Sequence, residues 1–244
     1  MVHIWVRATL PFDNERAFQA RLRPDRRESV ERWDATFDMP WRIFRLRLRE
    51  IARANLAEVE GAVCATWDEI PEGALVLPVD DDDWFRPDVA TVVERAVGPG
   101  VTGVRWRSSF LEVPTDWRHQ LGIWRRYVQG PRPDFLCTTN NYALFASEAS
   151  KELLVSHLKA SRWVGGQPRG SVPFLRERLS LMNRTIASDT SLRPSRREIG
   201  ARALRRKLRR YRRLYDQPLP PSLAWAQPYA DRVGELMGEL ELRR

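Results

Sequence analysis

"EGALVLPVDDDDWFRPD", from Glu72 to Asp88, sets an unbroken apolar run against four consecutive carboxylates. Gly73 opens the run, and a continuous apolar stretch such as Leu75 to Val79 suits a central strand covered on both faces. Asp80, Asp81, Asp82 and Asp83 then follow at the point where that strand should end. Crowded carboxylates disfavour one another's ionisation unless a cation compensates. A hard divalent ion does so, and Mg²⁺ or Mn²⁺ prefers oxygen ligands, typically one or two carboxylates plus the phosphates of a bound molecule. In α/β sheets ligands bind beyond the carboxyl ends of the strands. A solvated acidic loop is the plain alternative, but it needs neither "LVLPV" before it nor Trp84 and Phe85 directly after it.

Working outward, "HIWVRATL" (residues 3–10) is β-branched and aromatic and predicts a first strand. A charged helix is expected around Asn14 to Leu22. In "FDMPWRIFRLRLREIARANL", Asp38 is a candidate N-cap and Pro40 suits a first turn. Trp41, Phe44, Leu48, Ile51 and Leu56 recur at near-helical spacing, which predicts one buried face. "GAVCATW" reads as a short strand. "RPDVATVVERAV" reads as a helix with Pro87 in its first turn, closed by "GPG" at residues 98–100. "VTGVRWRSSFLEV" (residues 101–113) alternates as a strand, and "DFLCTTNNYALFA" (residues 134–146) as one strand or two with a turn at Asn140 and Asn141. "SEASKELLVSHLKA" reads as one helix capped by Ser147. A basic helix over residues 194–215, a Pro-rich connector and a last amphipathic helix complete the chain. Strands alternating with helices predict an α/β sheet, with one domain over residues 1–190 and a helical extension over 191–244.

"EGALVLPVDDDDWFRPD" resembles the strand-plus-DxD segment of GT-A glycosyltransferases, particularly the bacterial family-2-like group, and is similar to the Asp-quartet segment of proteins assigned as rhamnosyltransferases. The shared pattern is a Gly-led apolar strand, Asp-x-Asp-Asp, two bulky residues, then x-Pro-Asp/Glu. The resemblance implies a GT-A-like, Rossmann-type mixed sheet flanked by helices. It implies sugar transfer from a nucleotide-diphosphate donor with Mn²⁺ or Mg²⁺. It assigns Asp82 as metal ligand and Asp80 to the ribose, a metal-bound water or the metal. Asp81 takes the variable middle place beside the donor, and Asp83 is an additional or outer ligand. Arg7 and Thr9, at the end of the first strand, are placed for the nucleotide if that strand is the first of the GT-A sheet; an arginine there could equally pair with a surface acid. His157 falls where several GT-A enzymes put a late histidine on the metal. One departure is plain: only about 70 residues precede the motif, and the second and third strands of a usual nucleotide-binding half are hard to find.

An inverting transferase needs a general base near the acceptor hydroxyl. Asp134 is the first candidate, with Glu112 and Asp116 beside it; a retaining enzyme needs none. Asn140 and Asn141 could bind sugar hydroxyls, or simply make a turn. Trp106, Trp117, Trp124 and Trp163 are candidates for stacking on sugar rings or for the core. Two other Asp-rich chemistries fit poorly. A haloacid-dehalogenase-type phosphatase wants Asp-x-Asp-x-Thr, and Trp84 stands in the Thr place. An isoprenoid synthase wants Asp-Asp-x-x-Asp on a helix of an all-α protein.

The chain of 244 residues carries a formal charge of +9. The stretch that begins at Arg193 and ends at Arg213, "RPSRREIGARALRRKLRRYRR", holds eleven Arg or Lys and one Glu, which leaves 30 basic and 31 acidic residues elsewhere. The basicity is therefore local. Leu204, Leu208, Tyr211 and Tyr215 form a stripe at 4-3-4 spacing within it. A basic amphipathic helix can lie on an anionic membrane surface, which is coherent with a lipid-linked acceptor; the acceptor itself is unknown and could also be a glycan or a small molecule. A helix docked on its own protein explains the stripe as well. A non-catalytic membrane or nucleic-acid adaptor is the alternative function; nucleic acid is disfavoured because the remainder has no basic excess. Two cysteines, Cys64 and Cys137, make neither a disulfide framework nor a zinc pattern. No segment is apolar enough to span a bilayer, and "MVHIWVRATL" lacks the pattern of a signal peptide. A cytoplasmic protein, peripheral at the inner face of the membrane, is the expectation.

Overall fold

The computed structural model describes residues 1–7, 10–107, 109–111, 137–187 and 201–243. The described chain divides into two compact units, and the division falls within one helix. The first unit holds Met1 and the residues after it through Arg7, then Ala52–Phe110, then 137–182. The second holds 10–51, Leu111 and the described residues from 183 onward. Both units are thus discontinuous in sequence.

The first unit is built on a six-stranded sheet ordered β2-β1-β3-β7-β5-β8. Its strands are β1 (Val2–Val6), β2 (Ala62–Cys64), β3 (Leu75–Val79), β5 (Gly103–Trp106), β7 (Tyr142–Phe145) and β8 (Phe174–Leu175). β1 runs parallel to both β2 and β3. β7 is antiparallel to β3 and to β5, and β8 is parallel to β5. All strands but β7 therefore point the same way. A small second sheet is ordered β4-β9-β6, from β4 (Trp84–Phe85), β9 (Ser180–Asn183) and β6 (Phe110–Leu111). The strand expected over residues 101–113 is thus two short strands in different sheets.

The period of two decides which side chains meet on each face. Val2, Ile4, Leu75, Leu77, Val79, Val104, Trp106 and Ala143 share one buried cluster with Val89, Ala90 and Val93 of α4 (Val89–Arg95). Trp5, Val76, Tyr142 and Leu144 share the other with Leu154 of α5 (Glu148–Leu154) and with Ala160 and Val164 of α6 (His157–Gly166). Helices thus cover both faces, and every residue of β3 is buried. Full burial of each Val or Leu contributes about 1.5–3 kcal/mol.

Gly73 enters β3 at φ +76°, a left-handed conformation that suits glycine. Gly103 answers a different need. A Cβ there would lie 2.7 Å from Leu144 Cδ2 and 2.8 Å from the Ala143 carbonyl oxygen. Gly103→Ala is expected to destabilise the protein by about 1–3 kcal/mol through overpacking, read as a lower urea midpoint.

The helix expected from Ser147 onward is two helices. Ser147 caps α5 as expected, its Oγ accepting from the Ser150 amide. The chain breaks at Val155, and Ser156 caps α6. Pro87 lies just before α4 rather than inside its first turn.

In the second unit, α1 (Glu15–Arg21) is capped by Asn14, whose Oδ1 accepts from the Ala17 amide. α2 (Pro24–Thr36) leads into α3 (Trp41–Leu56), and the apolar stripe of α3 is buried as its spacing predicts. Asp38 does not accept from the first amide of α3; Asp34, on α2, does. Asp34 Oδ1 accepts from the Trp41 amide at 2.7 Å, while Asp38 Oδ1 accepts from Met39 and from Glu241. Burial raises the Asp34 pKa. Contacts far apart in sequence close the unit: Phe37 bridges Leu242, and Arg47 pairs with Glu239.

The basic helix is α7 (Ala201–Tyr215), followed by α8 (Gln227–Glu239). Residues 193–200 and the Leu204 side chain lie outside the described part. Leu208, Tyr211, Leu214 and Tyr215 are all buried, so the apolar stripe is engaged inside the protein. Arg212 donates to the carbonyls of Met237 and Gly238 at the end of α8, where a cation is favoured. Desolvation pulls the Lys207 pKa down to about 8. An unfolded lysine titrates near 10.4, so between those values the unfolded chain holds more protons and stability rises with pH. Urea unfolding is expected to show higher stability at pH 9.5 than at pH 7. Lys207→Met should flatten that rise and be the more stable protein at pH 7.

Candidate functional site

The topology puts a switch point in a definite place. From β1 the chain goes to β2 on one side, then to β3 on the other. Such a switch point is where open α/β sheets bind ligands, beyond the carboxyl ends of the strands. Val6 and Val79 are partners at those ends. The next residues are Arg7 and Asp80, and they form an ion pair of 2.7 Å. The acidic run therefore stands at the switch point itself.

Asp80 to Asp83 make a tight turn, closed by the Asp83 amide donating to the Asp80 carbonyl at 3.2 Å. Asp81 and Asp83 are buried, while Asp80 and Asp82 keep partial exposure. The burial of Asp81 departs from its assignment to a variable middle place. Arg7 is the organiser of the corner. Besides Asp80, it donates from Nη2 to the Thr139 carbonyl at 2.7 Å and from Nη1 to the Leu154 carbonyl at 3.4 Å. Its amide donates to Val79.

Because β7 runs against β3, the residues that precede it come to the same rim. Thr139 Oγ1 donates to Asp83 Oδ2 at 2.6 Å. The two asparagines then separate in role. Asn141 is occupied by structure: its Oδ1 accepts from the Thr138 amide and its Nδ2 donates to the Trp106 carbonyl at 3.0 Å. Asn140 is fully buried, yet among the described residues neither its Oδ1 nor its Nδ2 has a hydrogen-bond partner. A buried unpaired amide costs about 1–3 kcal/mol per group.

Asn55 of α3 fixes where the turn exits. Its Nδ2 donates to the Phe85 carbonyl and its Oδ1 accepts from the Phe85 amide, both at 2.8 Å. Neither Asn55 nor Thr139 emerges from the motif. A polar residue beside Leu56 on an apolar helix face was the available signal for Asn55.

His157 is the first residue of α6 and exposed. It follows by three residues the Leu154 carbonyl that Arg7 contacts. Among the described residues, no group of three His, Cys, Asp or Glu is gathered closely enough to hold a metal ion. Trp106 is fully buried in the sheet's core, its indole N–H donating to Ser180 Oγ at 2.8 Å, which removes it from the stacking candidates. Trp163 packs at the edge of the opposite cluster. Thr9, Glu112, Asp116, Trp117, Trp124 and Asp134 lie outside the described residues.

What the fold and the rim define is a class: a mixed α/β protein with an acidic turn, a guanidinium and an unpaired amide at the switch point of its sheet. A scan against protein-family models finds no match for the chain, and a search of the curated proteins finds none. Among the described residues no helix is long and apolar enough to cross a membrane.

Proposed function

We propose that this chain is a metal-dependent, GT-A-like glycosyltransferase that moves a sugar from a nucleotide-diphosphate donor to an acceptor. The observation that carries the proposal is the place of the acidic turn: the Asp80–Asp83 corner lies at the switch point, with Asp82 partly exposed at its tip. The donor set suits Mn²⁺ or Mg²⁺ held by one or two carboxylates, with the remaining positions left to diphosphate and water. Asp82 is the ligand in this scheme, with Asp80, Asp83 and His157 as further candidates. When bound, the ion neutralises charge developing on the leaving diphosphate. Arg7 holds Asp80 in place and offsets part of the negative charge, and Thr139 orients Asp83. Asn140 offers its unpaired amide to a hydroxyl of the donor. Asp134 is the proposed base if transfer inverts configuration.

The exposed face of α7 carries Arg205, Arg206 and Arg209. With the apolar stripe buried, attachment to an anionic inner membrane surface would be electrostatic adsorption rather than insertion, and so strongly salt-dependent.

The test is a panel of nucleotide-diphosphate sugars with release of nucleoside diphosphate as the readout. At least one donor should be consumed with Mn²⁺ and spared with EDTA. If no donor is consumed or bound, and binding to RNA, DNA or anionic vesicles vanishes when the α7 arginines are neutralised, the protein is an adaptor instead.

A further inference from the structure

We infer that the same rim carries a second, cationic site two strands away from the acidic turn, and that it binds a phosphomonoester. Its role as the acceptor's anchor rests on the transferase proposal; the anion site itself does not.

β3 and β5 both run against β7, and β8 runs with β5. The carboxyl ends of β5 and β8 therefore lie on the same edge as Asp80. At about 4.8 Å per strand, β5 is roughly 10 Å from β3 along the rim and β8 roughly 14 Å. Arg107 leaves β5 with its amide donating to the Leu175 carbonyl, the last residue of β8. Arg178 follows β8 and donates from Nη1 to Oγ of the fully buried Ser109 at 2.8 Å. The two strand exits thus bring Arg107 and Arg178 to one corner.

Both side chains are partly buried. Burial lowers the Arg178 pKa, and the positive charge of Arg107 lowers it further. Among the described residues, no carboxylate forms an ion pair with either one. Glu177, adjacent in sequence, is exposed and pairs with neither. Two like charges held together and partly desolvated are unfavourable until an anion joins them. A phosphomonoester carries about −1.5 to −2 at neutral pH and presents three acceptor oxygens, which matches two guanidiniums. A carboxylate, with one charge, leaves one of them unmatched. Guanidinium forks are well suited to phosphate.

The experiment is calorimetric titration of the whole chain with inorganic phosphate in EDTA. Acetate serves as the comparison anion, and Arg95→Gln, an exposed residue of α4, as the charge control. Wild type and Arg95→Gln should bind phosphate alike and prefer it to acetate. Arg107→Gln and Arg178→Gln should each weaken phosphate about tenfold, the loss of one charge-assisted contact. The Arg107 side chain makes no hydrogen bond among the described residues, so Arg107→Gln remains informative if the Arg178 variant folds poorly. Equal phosphate affinity in wild type and Arg107→Gln overturns the inference. Glycerol phosphate and vesicles of phosphatidylcholine with or without phosphatidic acid separate the two sources. Arginine-dependent preference for phosphatidic acid vesicles marks a lipid-borne phosphate; arginine-dependent binding of glycerol phosphate alone marks a free phosphorylated acceptor. A parallel titration with nucleoside diphosphate and Mn²⁺ should be unchanged in both variants. If that titration is silent while phosphate still binds through Arg107 and Arg178, the transferase reading falls and the anion site stands.

Discussion

Replacing Asp82 by Asn is expected to slow sugar transfer about 100- to 1000-fold. Asn keeps the shape of the side chain and removes its charge. Asp82 keeps partial exposure at the turn, while Asp80 pairs with Arg7 and Asp83, which is buried, accepts from Thr139. If a cation and a diphosphate meet at this turn, Asp82 is where the protein's share of the coordination is lost. The variant should also need more Mn²⁺ for half-maximal rate. A variant that keeps its rate within twofold, with an unchanged Mn²⁺ requirement, would remove Asp82 from the metal and leave the proposed chemistry without its principal ligand.

Arg7→Met is expected to cost about 2–3 kcal/mol of stability. Deleting one member of a fully buried ion pair costs about 3–5 kcal/mol. Here the figure is discounted because the Asp80 side chain keeps 34% of its surface exposed and is partly solvated. The change also removes the donors to the Thr139 and Leu154 carbonyls, about 0.5–1.5 kcal/mol for each bond lost. Arg7 therefore ties together the ends of β1 and β3, the approach to β7 and the end of α5. A double-mutant cycle with Asp80→Asn isolates the ion pair. Coupling of about 1 kcal/mol or more between the two substitutions is expected. Additive losses would show that Arg7 acts through the carbonyls alone.

The central strand and its acidic terminus were legible because a continuous apolar run followed by charges is a local signal. The partner strands were not. Nothing in Ala62–Cys64 announces that it pairs beside β1, or that β7 inserts antiparallel between β3 and β5; pairing is a long-range choice. Yet that order is what makes the end of β1 the neighbour of Asp80 and turns Arg7 into its counter-ion. The alternation over residues 101–113 was real, but β5 and β6 belong to different sheets. The stripe on α3 was read correctly because spacing reports which face is apolar. The stripe on α7 shows the limit: spacing cannot tell whether protein or membrane covers that face. The Trp41 amide is taken by Asp34 rather than Asp38 because the acceptor comes from the preceding helix, seven residues before Trp41. The split between Asn140 and Asn141 depended on the Trp106 carbonyl, 35 residues away from Asn141.

The most direct test of the central claim is a crystal structure with nucleoside diphosphate and Mn²⁺, the ion located by its anomalous signal. The account predicts one Mn²⁺ about 2 Å from an Asp82 carboxylate oxygen, bridging to the diphosphate at the ends of β1 and β3. Mn²⁺ and nucleotide bound elsewhere on the chain, with the Asp80–Asp83 turn touching neither, would contradict it.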